Sequence, residues 1–241
     1  MSGDAMVKAV ILAGGSGTRL KPYTTVFPKP LMPIRERPIL EIILRQLHTT
    51  GIDEAVIAVG YLAELVMTYC GDGSRFGCPV TYSREEKPLG TAGCLGQLKE
   101  RLLETFLMMN GDVLTTLDYA AFLEYHRSHG GIATIALHRR EIPIDFGVVG
   151  INGQHRITEY TEKPTLSHLV SMGVYAFEPR VLDYIEPEAY LDFPDLIKSL
   201  IAEGEEVVGY VYDGYWLDIG RVDDYEQAKA DFDVIAPRLG I

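Results

Sequence analysis

Through roughly the first 140 residues, short apolar runs alternate with longer amphipathic ones, and this rhythm restricts the fold more than any other feature. Lys8 to Leu12, Ala55 to Val59, Val80 to Ser83, Phe106 to Met109 and Ile132 to Leu137 read as buried strands. Pro38 to Thr50, Leu62 to Cys70, Ala92 to Leu103 and Tyr119 to His129 read as the helices between them. In the first helix, Leu40, Ile43, Leu44 and Leu47 make one apolar face. Pro38 suits its first turn, Glu41 can pair with Arg45, and Gly51 closes its end. Thr91 is placed to cap the third helix. Such a succession predicts an α/β fold, a Rossmann-like and mainly parallel sheet flanked by helices.

From about Asp145 the texture changes. Phe146 to Ile151 and Arg156 to Thr161 read as a hairpin around Asn152-Gly153, and Val170 to Phe177 as a further strand. Asp192 to Ala202 reads as a helix. Val207 to Tyr212 and Tyr215 to Leu217 read as a second hairpin around Asp213-Gly214, with Asp223 to Ile235 as a terminal helix. The expectation is a single domain over 1–241. Residues from about 7 to 140 form a nucleotide-binding half, and those from about 141 to 241 complete the site on the same sheet.

Apolar residues make up 47% of the 241, enough for a substantial core. No window approaches 18 uninterrupted apolar residues, so no membrane partner is expected. Met1 to Met6 lack a signal peptide's apolar run and read as a frayed tail. The formal net charge of −12 argues against a nucleic-acid partner, which needs a broad basic face. It leaves room for small anionic substrates, which need only a few cations aimed into one cleft. The odd cysteine count, with Cys70, Cys78 and Cys94 at non-metal spacings, points to reduced thiols in a cytoplasm. A homo-oligomer is compatible with all of this.

The first strand runs into Leu12-Ala13-Gly14-Gly15-Ser16-Gly17-Thr18-Arg19-Leu20. Glycines there let backbone amides approach an anion, and ligands of open α/β sheets bind at the C-terminal strand ends. Arg19 adds a cation with bidentate geometry for phosphate oxygens. Leu20 stands where a dinucleotide fingerprint needs its last glycine, and no Gly-Lys-Ser/Thr follows. Taken alone, the four residues 14–17 are equally an ordinary turn. Phe27-Pro28-Lys29-Pro30-Leu31 then holds a lysine between two prolines, a stiff backbone that suits a triphosphate and also a solvated loop.

Gly14-Gly15-Ser16-Gly17-Thr18-Arg19-Leu20 followed by Pro28-Lys29-Pro30-Leu31 resembles the signature of the nucleotide-sugar pyrophosphorylases, with motifs in family order through to Gly220. The resemblance implies a GT-A-like nucleotidyltransferase fold. It implies a reaction that joins a nucleoside triphosphate to a sugar 1-phosphate with release of pyrophosphate. Leu12 to Thr18 would hold the nucleotide, and Arg19 and Lys29 its phosphates. Many such enzymes carry a C-terminal β-helix, and none is expected here.

Phe106 to Asp112 is an apolar strand ending in an acid, and Trp216-Leu217-Asp218-Ile219-Gly220 is a second such feature. Either aspartate alone reads equally as a turn or cap residue, and spacing cannot show that they meet. Both fit the family's metal positions, and magnesium favours one or two carboxylates with phosphate oxygens and water. Catalysis would then need no side-chain nucleophile or general base. In-line placement, worth ~7–11 kcal/mol, and charge neutralisation by magnesium, Arg19 and Lys163 would suffice.

By the same resemblance, Glu86, Lys87, Pro88, Gly90 and Thr91 lie against the nucleobase. Leu89-Gly90-Thr91-Ala92-Gly93 is more similar to the guanylyltransferases of mannose or heptose 1-phosphate than to thymidylyltransferases, so GTP is expected, with dTTP the alternative. Gly147, Glu162 and Lys163 match the sugar-phosphate site, and Glu162-Lys163 reads otherwise as a solvated pair. Ser171-Met172-Gly173-Val174-Tyr175 stands where relatives commonly have Asn-Ala-Gly-Ile-Tyr. Gly173 fits, but the Ser171 hydroxyl cannot make an amide's pair of bonds, so the sugar is expected to differ from plain mannose or glucose. Two other classes compete. A silent nucleotide-sugar-binding subunit would usually have lost a metal carboxylate or loop cation. A Rossmann oxidoreductase lacks support from this loop.

Overall fold

The computed structural model describes residues 7–240, so the reading of Met1 to Met6 as a frayed tail lies outside the described residues. The chain opens with β1 (Lys8–Ala13), β2 (Pro33–Ile34), β3 (Arg37–Pro38) and α1 (Ile39–Thr49). It continues through β4 (Glu54–Val59), α2 (Ala63–Cys70), β5 (Val80–Arg84), α3 (Gly90–Gly93), β6 (Phe106–Asn110), β7 (Val113–Thr115) and α4 (Tyr119–His129). Then come β8 (Ala133–Pro143), β9 (Val148–Ile151), β10 (Ile157–Thr161), β11 (Thr165–Phe177) and α5 (Phe193–Ala202). β12 (Val207–Val211), β13 (Trp216–Asp218) and α6 (Val222–Ile235) follow.

Seven strands make the central sheet in the order β12-β8-β11-β6-β1-β4-β5. All neighbours are parallel except those of β11, which runs antiparallel to both β6 and β8. The expected mainly parallel, helix-flanked sheet is therefore present. Its central strands are apolar on both faces because successive residues point to opposite sides. Ala9, Ile11, Ile57 and Leu107 face a core shared with Leu40, Ile43 and Leu44 of α1 and Phe232 of α6. Val10, Val56, Ala58 and Met108 face the other, with Leu95, Leu98 and the α5 leucines Leu196 and Leu200. Each such leucine, fully buried, contributes roughly 1.5–3 kcal/mol.

Two local expectations fail for non-local reasons. The predicted helix from Ala92 to Leu103 shrinks to the single turn α3 and a 3-10 segment, Cys94–Leu98. The Ala92 and Gly93 amides donate to Leu191 O at 2.9 and 3.0 Å, and any side chain at Gly93 would strike Ala189 O. The backbone is pressed against the chain before α5, which a regular helix surface would prevent. Thr91 does not cap α3. Its Oγ1 accepts the first amide of α5, Phe193 N, at 2.8 Å. Around Asp213-Gly214 no hairpin forms, because β12 joins the main sheet beside β8 while β13 pairs with β7. Thr116 takes up the turn instead: its amide donates to Tyr215 O at 3.0 Å and its hydroxyl accepts Tyr215 N at 3.2 Å. The Asn152-Gly153 hairpin does form, with a longer loop in which Asn152 Oδ1 accepts the amides of Gln154 and Arg156.

α4 carries His126, fully buried at the foot of the sheet. Its Nε2 faces Glu178 Oε1 at 3.1 Å and its Nδ1 faces Thr134 Oγ1 at 2.7 Å. A neutral ring satisfies both by donating to the carboxylate and accepting from the hydroxyl. Burial lowers the imidazole pKa below its ordinary 6.5, against the opposing charge of Glu178. In the unfolded chain the ring takes up a proton at higher pH than in the native protein. Its contribution is therefore intact above the ordinary value and is lost as pH falls toward the depressed one. Urea denaturation should show stability declining below pH ~6.5, and His126→Ala, costing about 1–3 kcal/mol at neutral pH, should flatten that decline.

Candidate functional site

At the C-terminal edge of the sheet, the loops after β1 and β6 lie side by side, where β4 and β6 flank β1 on opposite sides. Strand order reverses there, and such a point opens a crevice in sheets of this kind. Gly111 N extends the β1–β6 ladder by donating to Leu12 O at 2.8 Å. A Cβ on Gly111 would stand 2.5 Å from that oxygen, so only glycine fits.

The glycine loop is fixed at both ends and open in the middle. Gly14 O accepts Tyr61 N at 3.1 Å, and Leu20 is fully buried. Gly17 adopts φ 59°, and its carbonyl accepts Leu20 N at 2.9 Å and Thr24 Oγ1 at 2.7 Å. Between these anchors, no amide from Gly15 to Gly17 donates to a protein acceptor among the described residues. Backbone donors left free on a loop are suited to an external anion.

Lys29 begins a 3-10 turn, Lys29–Leu31, entered through Pro28. The turn buries the lysine stem and directs Nζ onto Asp112 Oδ2. Asp112 Oδ1 is also buried and has no hydrogen-bond partner. The second carboxylate arrives through the small β7–β13 sheet, whose register sets Asp218 opposite Val113, while Ile219 N donates to Asp112 O at 3.0 Å. Asp218 stays open to the crevice, yet its pKa is raised, first by desolvation and then by the charge of Asp112, with Lys29 and Arg19 opposing. The two aspartates that sequence spacing could not join are thus neighbours.

A cavity of about 330 Å³ lies over this cluster. Leu12, Ala13, Gly15, Gly17, Thr18, Arg19, Lys29, Thr91, Asp112 and Asp218, all singled out from the sequence, line it. Pro30, Asn110 and Gly111 complete the wall. Glu86 and Lys87 line a neighbouring hollow with Arg84 and Gln97. Gly90, at φ 78°, packs on Leu191. Gly173 packs on Asn110, and Ser171 Oγ is engaged by Tyr175 Oη at 3.0 Å and Gly173 N at 3.3 Å. Gly147, Glu162 and Lys163 lie outside the cavity wall, on the exposed ribbon formed by β8 to β11. There Tyr160 Oη donates to Glu162 Oε2 at 3.0 Å beneath Gly147, and Lys163 adopts φ 43°, unusual for a side-chain-bearing residue.

Two residues escaped the sequence reading. Asn110 lies two positions before Asp112 at the end of β6, beside a more conspicuous acid, and lines the cavity. Glu85, next to the Glu86 singled out above, has its carboxylate beside Gly14 and accepts Leu89 N at 3.2 Å; burial raises its pKa.

Among the described residues, no group of three or more His, Cys, Asp and Glu side chains converges as a metal cage. The two aspartates do fit a hard cation that draws its remaining ligands from substrate and water, since Asp112 Oδ1 is a buried acceptor lacking a donor. With an arginine, a lysine and free loop amides around them, the cavity can neutralise polyphosphate and hold it in place.

The profile of the nucleotidyl transferase family matches residues 8–233. The UTP–glucose-1-phosphate uridylyltransferase of Synechocystis sp. is 37% identical over 241 aligned residues, covering 92% of this chain and 62% of the relative. Mannose-1-phosphate guanylyltransferase 1 of Arabidopsis thaliana is 35% identical over 227, covering 91% and 63%. The chain thus spans a little over 60% of the length of these curated relatives. A Bacillus anthracis structure, described as a glucose-1-phosphate thymidylyltransferase in complex with a sucrose, superposes with a TM-score of 0.76 at 27% identity, covering 93% of this chain and 94% of that one.

Proposed function

The chain belongs to the nucleotidyl transferase family, and from that footing we propose that it is a sugar-1-phosphate nucleotidylyltransferase. A phosphate oxygen of the sugar phosphate would bond to the α-phosphorus of a nucleoside triphosphate while the bond to the β-phosphate oxygen breaks, releasing pyrophosphate. The observation that carries this reading is the meeting of Asp112, Asp218, Lys29 and Arg19 under one glycine loop. Both reactants are anions, so the barrier is mainly repulsion and alignment.

Free amides from Gly15 to Gly17 cradle the triphosphate, Arg19 and Lys29 neutralise it, and Gly147, Glu162 and Lys163 hold the acceptor. Asp112 and Asp218 would bind magnesium, which supplies charge neutralisation at the phosphates when bound. The proposed compartment is the cytoplasm, where both substrates would be met. Among the described residues no helix is long and apolar enough to cross a membrane.

For the base we propose guanine, on the strength of Leu89-Gly90-Thr91-Ala92-Gly93. Family membership does not choose, since the relatives above use different bases by name. A site built around guanine leaves its own polar groups unpaired when thymine enters, which can cost a factor of ~10⁴ or more. For the sugar, the engaged hydroxyl of Ser171 supports an acceptor other than plain mannose or glucose. The test is a matrix of GTP, dTTP, UTP, CTP and ATP against several sugar 1-phosphates, scored by pyrophosphate release with magnesium present. The expected result is release dominated by the GTP row. Dominance of another row overturns the guanine assignment, and silence in every row overturns the reaction.

A further inference from the structure

A second cavity, about 460 Å³, opens on the far side of Asp218 and shares Asp218 and Arg19 with the first. Arg139 and Arg140 of β8 and Arg221, just before α6, line it, together with His138 and Trp216. This is unexpected in a chain that carries 34 acidic residues against 22 lysines and arginines. Of the ten arginines elsewhere, Arg75, Arg127, Arg156 and Arg238 lack an ion pair among the described residues, whereas Arg35, Arg37, Arg45, Arg84, Arg101 and Arg180 sit on carboxylates.

The four around this cavity do not. Among the described residues none forms an ion pair, and the Arg139 guanidinium reaches only Ser167 Oγ, at 3.5 Å. Carboxylates are close by, since Glu141, Asp218 and Asp224 also line the wall. Asp224 turns one oxygen to the backbone, its Oδ2 accepting Gly220 N at 3.1 Å and Arg221 N at 2.7 Å. Arg139 and Arg140 are successive on β8 and point to opposite faces, so the Arg139 head turns to Ser167 and the cations left to the hollow are Arg140, Arg221 and the shared Arg19. Cations at one hollow without carboxylate partners suit an anionic ligand that uses their fork geometry.

Position identifies the ligand. Nucleophile and leaving group stand on opposite sides of the reacting phosphorus. Pyrophosphate belongs with the glycine loop and Lys29. The second cavity lies instead toward the ribbon, where Arg139 and Arg140 pair with Leu169 and His168 of β11. Gly147 and Glu162 are carried on the same ribbon. We propose that this cavity is an anion subsite for the acceptor, and that the preferred acceptor is a sugar 1-phosphate bearing a second anionic group, a phosphoryl or a carboxylate. This inference rests on the nucleotidylyltransferase reading above.

The experiment measures both binding and turnover. Mannose 1-phosphate, mannose 1,6-bisphosphate and glucuronate 1-phosphate are titrated by calorimetry, with a non-hydrolysable triphosphate present, into the wild type and an Arg140→Gln/Arg221→Gln variant. The same acceptors are then assayed for pyrophosphate release. The expected result is about tenfold or more tighter binding of an acceptor with the extra charge, lost in the variant, while mannose 1-phosphate binds both proteins alike. Comparing the bisphosphate with the uronate identifies which second anion fits. Equal affinity for all three acceptors overturns the proposal. So does a variant whose only defect is a raised KM for pyrophosphate in the reverse reaction, which would assign the arginines to the leaving group. Charge-dependent binding without pyrophosphate release from any pair would leave the subsite standing and refute the reaction instead.

Discussion

Asp112→Asn and Asp218→Asn should each lower the rate of pyrophosphate release by about a hundredfold or more, with the fold retained. Both substitutions keep the size of the side chain and remove its charge, so the loss reports the charge alone. Their effects on stability should have opposite signs. Asp112 is the partner of Lys29, whose stem is buried, and removing one member of a largely buried pair leaves the other charge uncompensated. Asp218 is held at a raised pKa by desolvation and by Asp112, so its charge is a burden on the native state. Asp112→Asn should therefore melt earlier than wild type in the presence of a chelator, and Asp218→Asn later. Near-normal turnover in either variant would remove that residue from the site. Two melting shifts of one sign would contradict the electrostatics described above.

Arg19→Ala should cost ~2.7–4 kcal/mol of transition-state stabilisation, a factor of about 10²–10³ in kcat/KM, by comparison with deleting one donor from an oxyanion hole. Its side chain lines both cavities and has no ion-pair partner among the described residues. Leu20 and the turn from Gly17 hold the backbone independently of the guanidinium, so the fold should not change. Arg19→Lys should recover only part of the loss, because an ammonium keeps the charge without the planar fork. The decisive comparison is steady-state kinetics of the two variants with saturating acceptor. Full recovery by lysine would mean that charge alone matters, and wild-type rates in the alanine variant would exclude Arg19 from the reaction.

What could be read from the sequence was what local chemistry decides. Strand periodicity, helix faces and the Tyr119–His129 helix lie where their patterns put them, because both faces of a central strand must be apolar. The misreadings share one cause, contacts between residues distant in sequence. Gly93 gives up its helix to pack on Ala189, and Tyr215 turns toward Thr116 rather than back to Tyr212. The glycine loop, Arg19 and Lys29 were legible because they are contiguous. The meeting of Asp112 with Asp218 was not, since it depends on the register of two three-residue strands. Asn110 and Glu85 were hidden beside more conspicuous neighbours.

The antiparallel β11 bears on how the chain is made. It fills the gap between β6 and β8, so the middle of the sheet is closed by a strand that leaves the ribosome more than fifty residues after β6. Until β11 is made, the side of Phe106 to Asn110 that it covers in the folded sheet has no partner, and an apolar strand edge of that kind is a template for pairing with another chain. The nascent chain also holds a complete glycine loop and Asp112 without Asp218. Vectorial synthesis thus passes through a stage with half of a site and an adhesive flank.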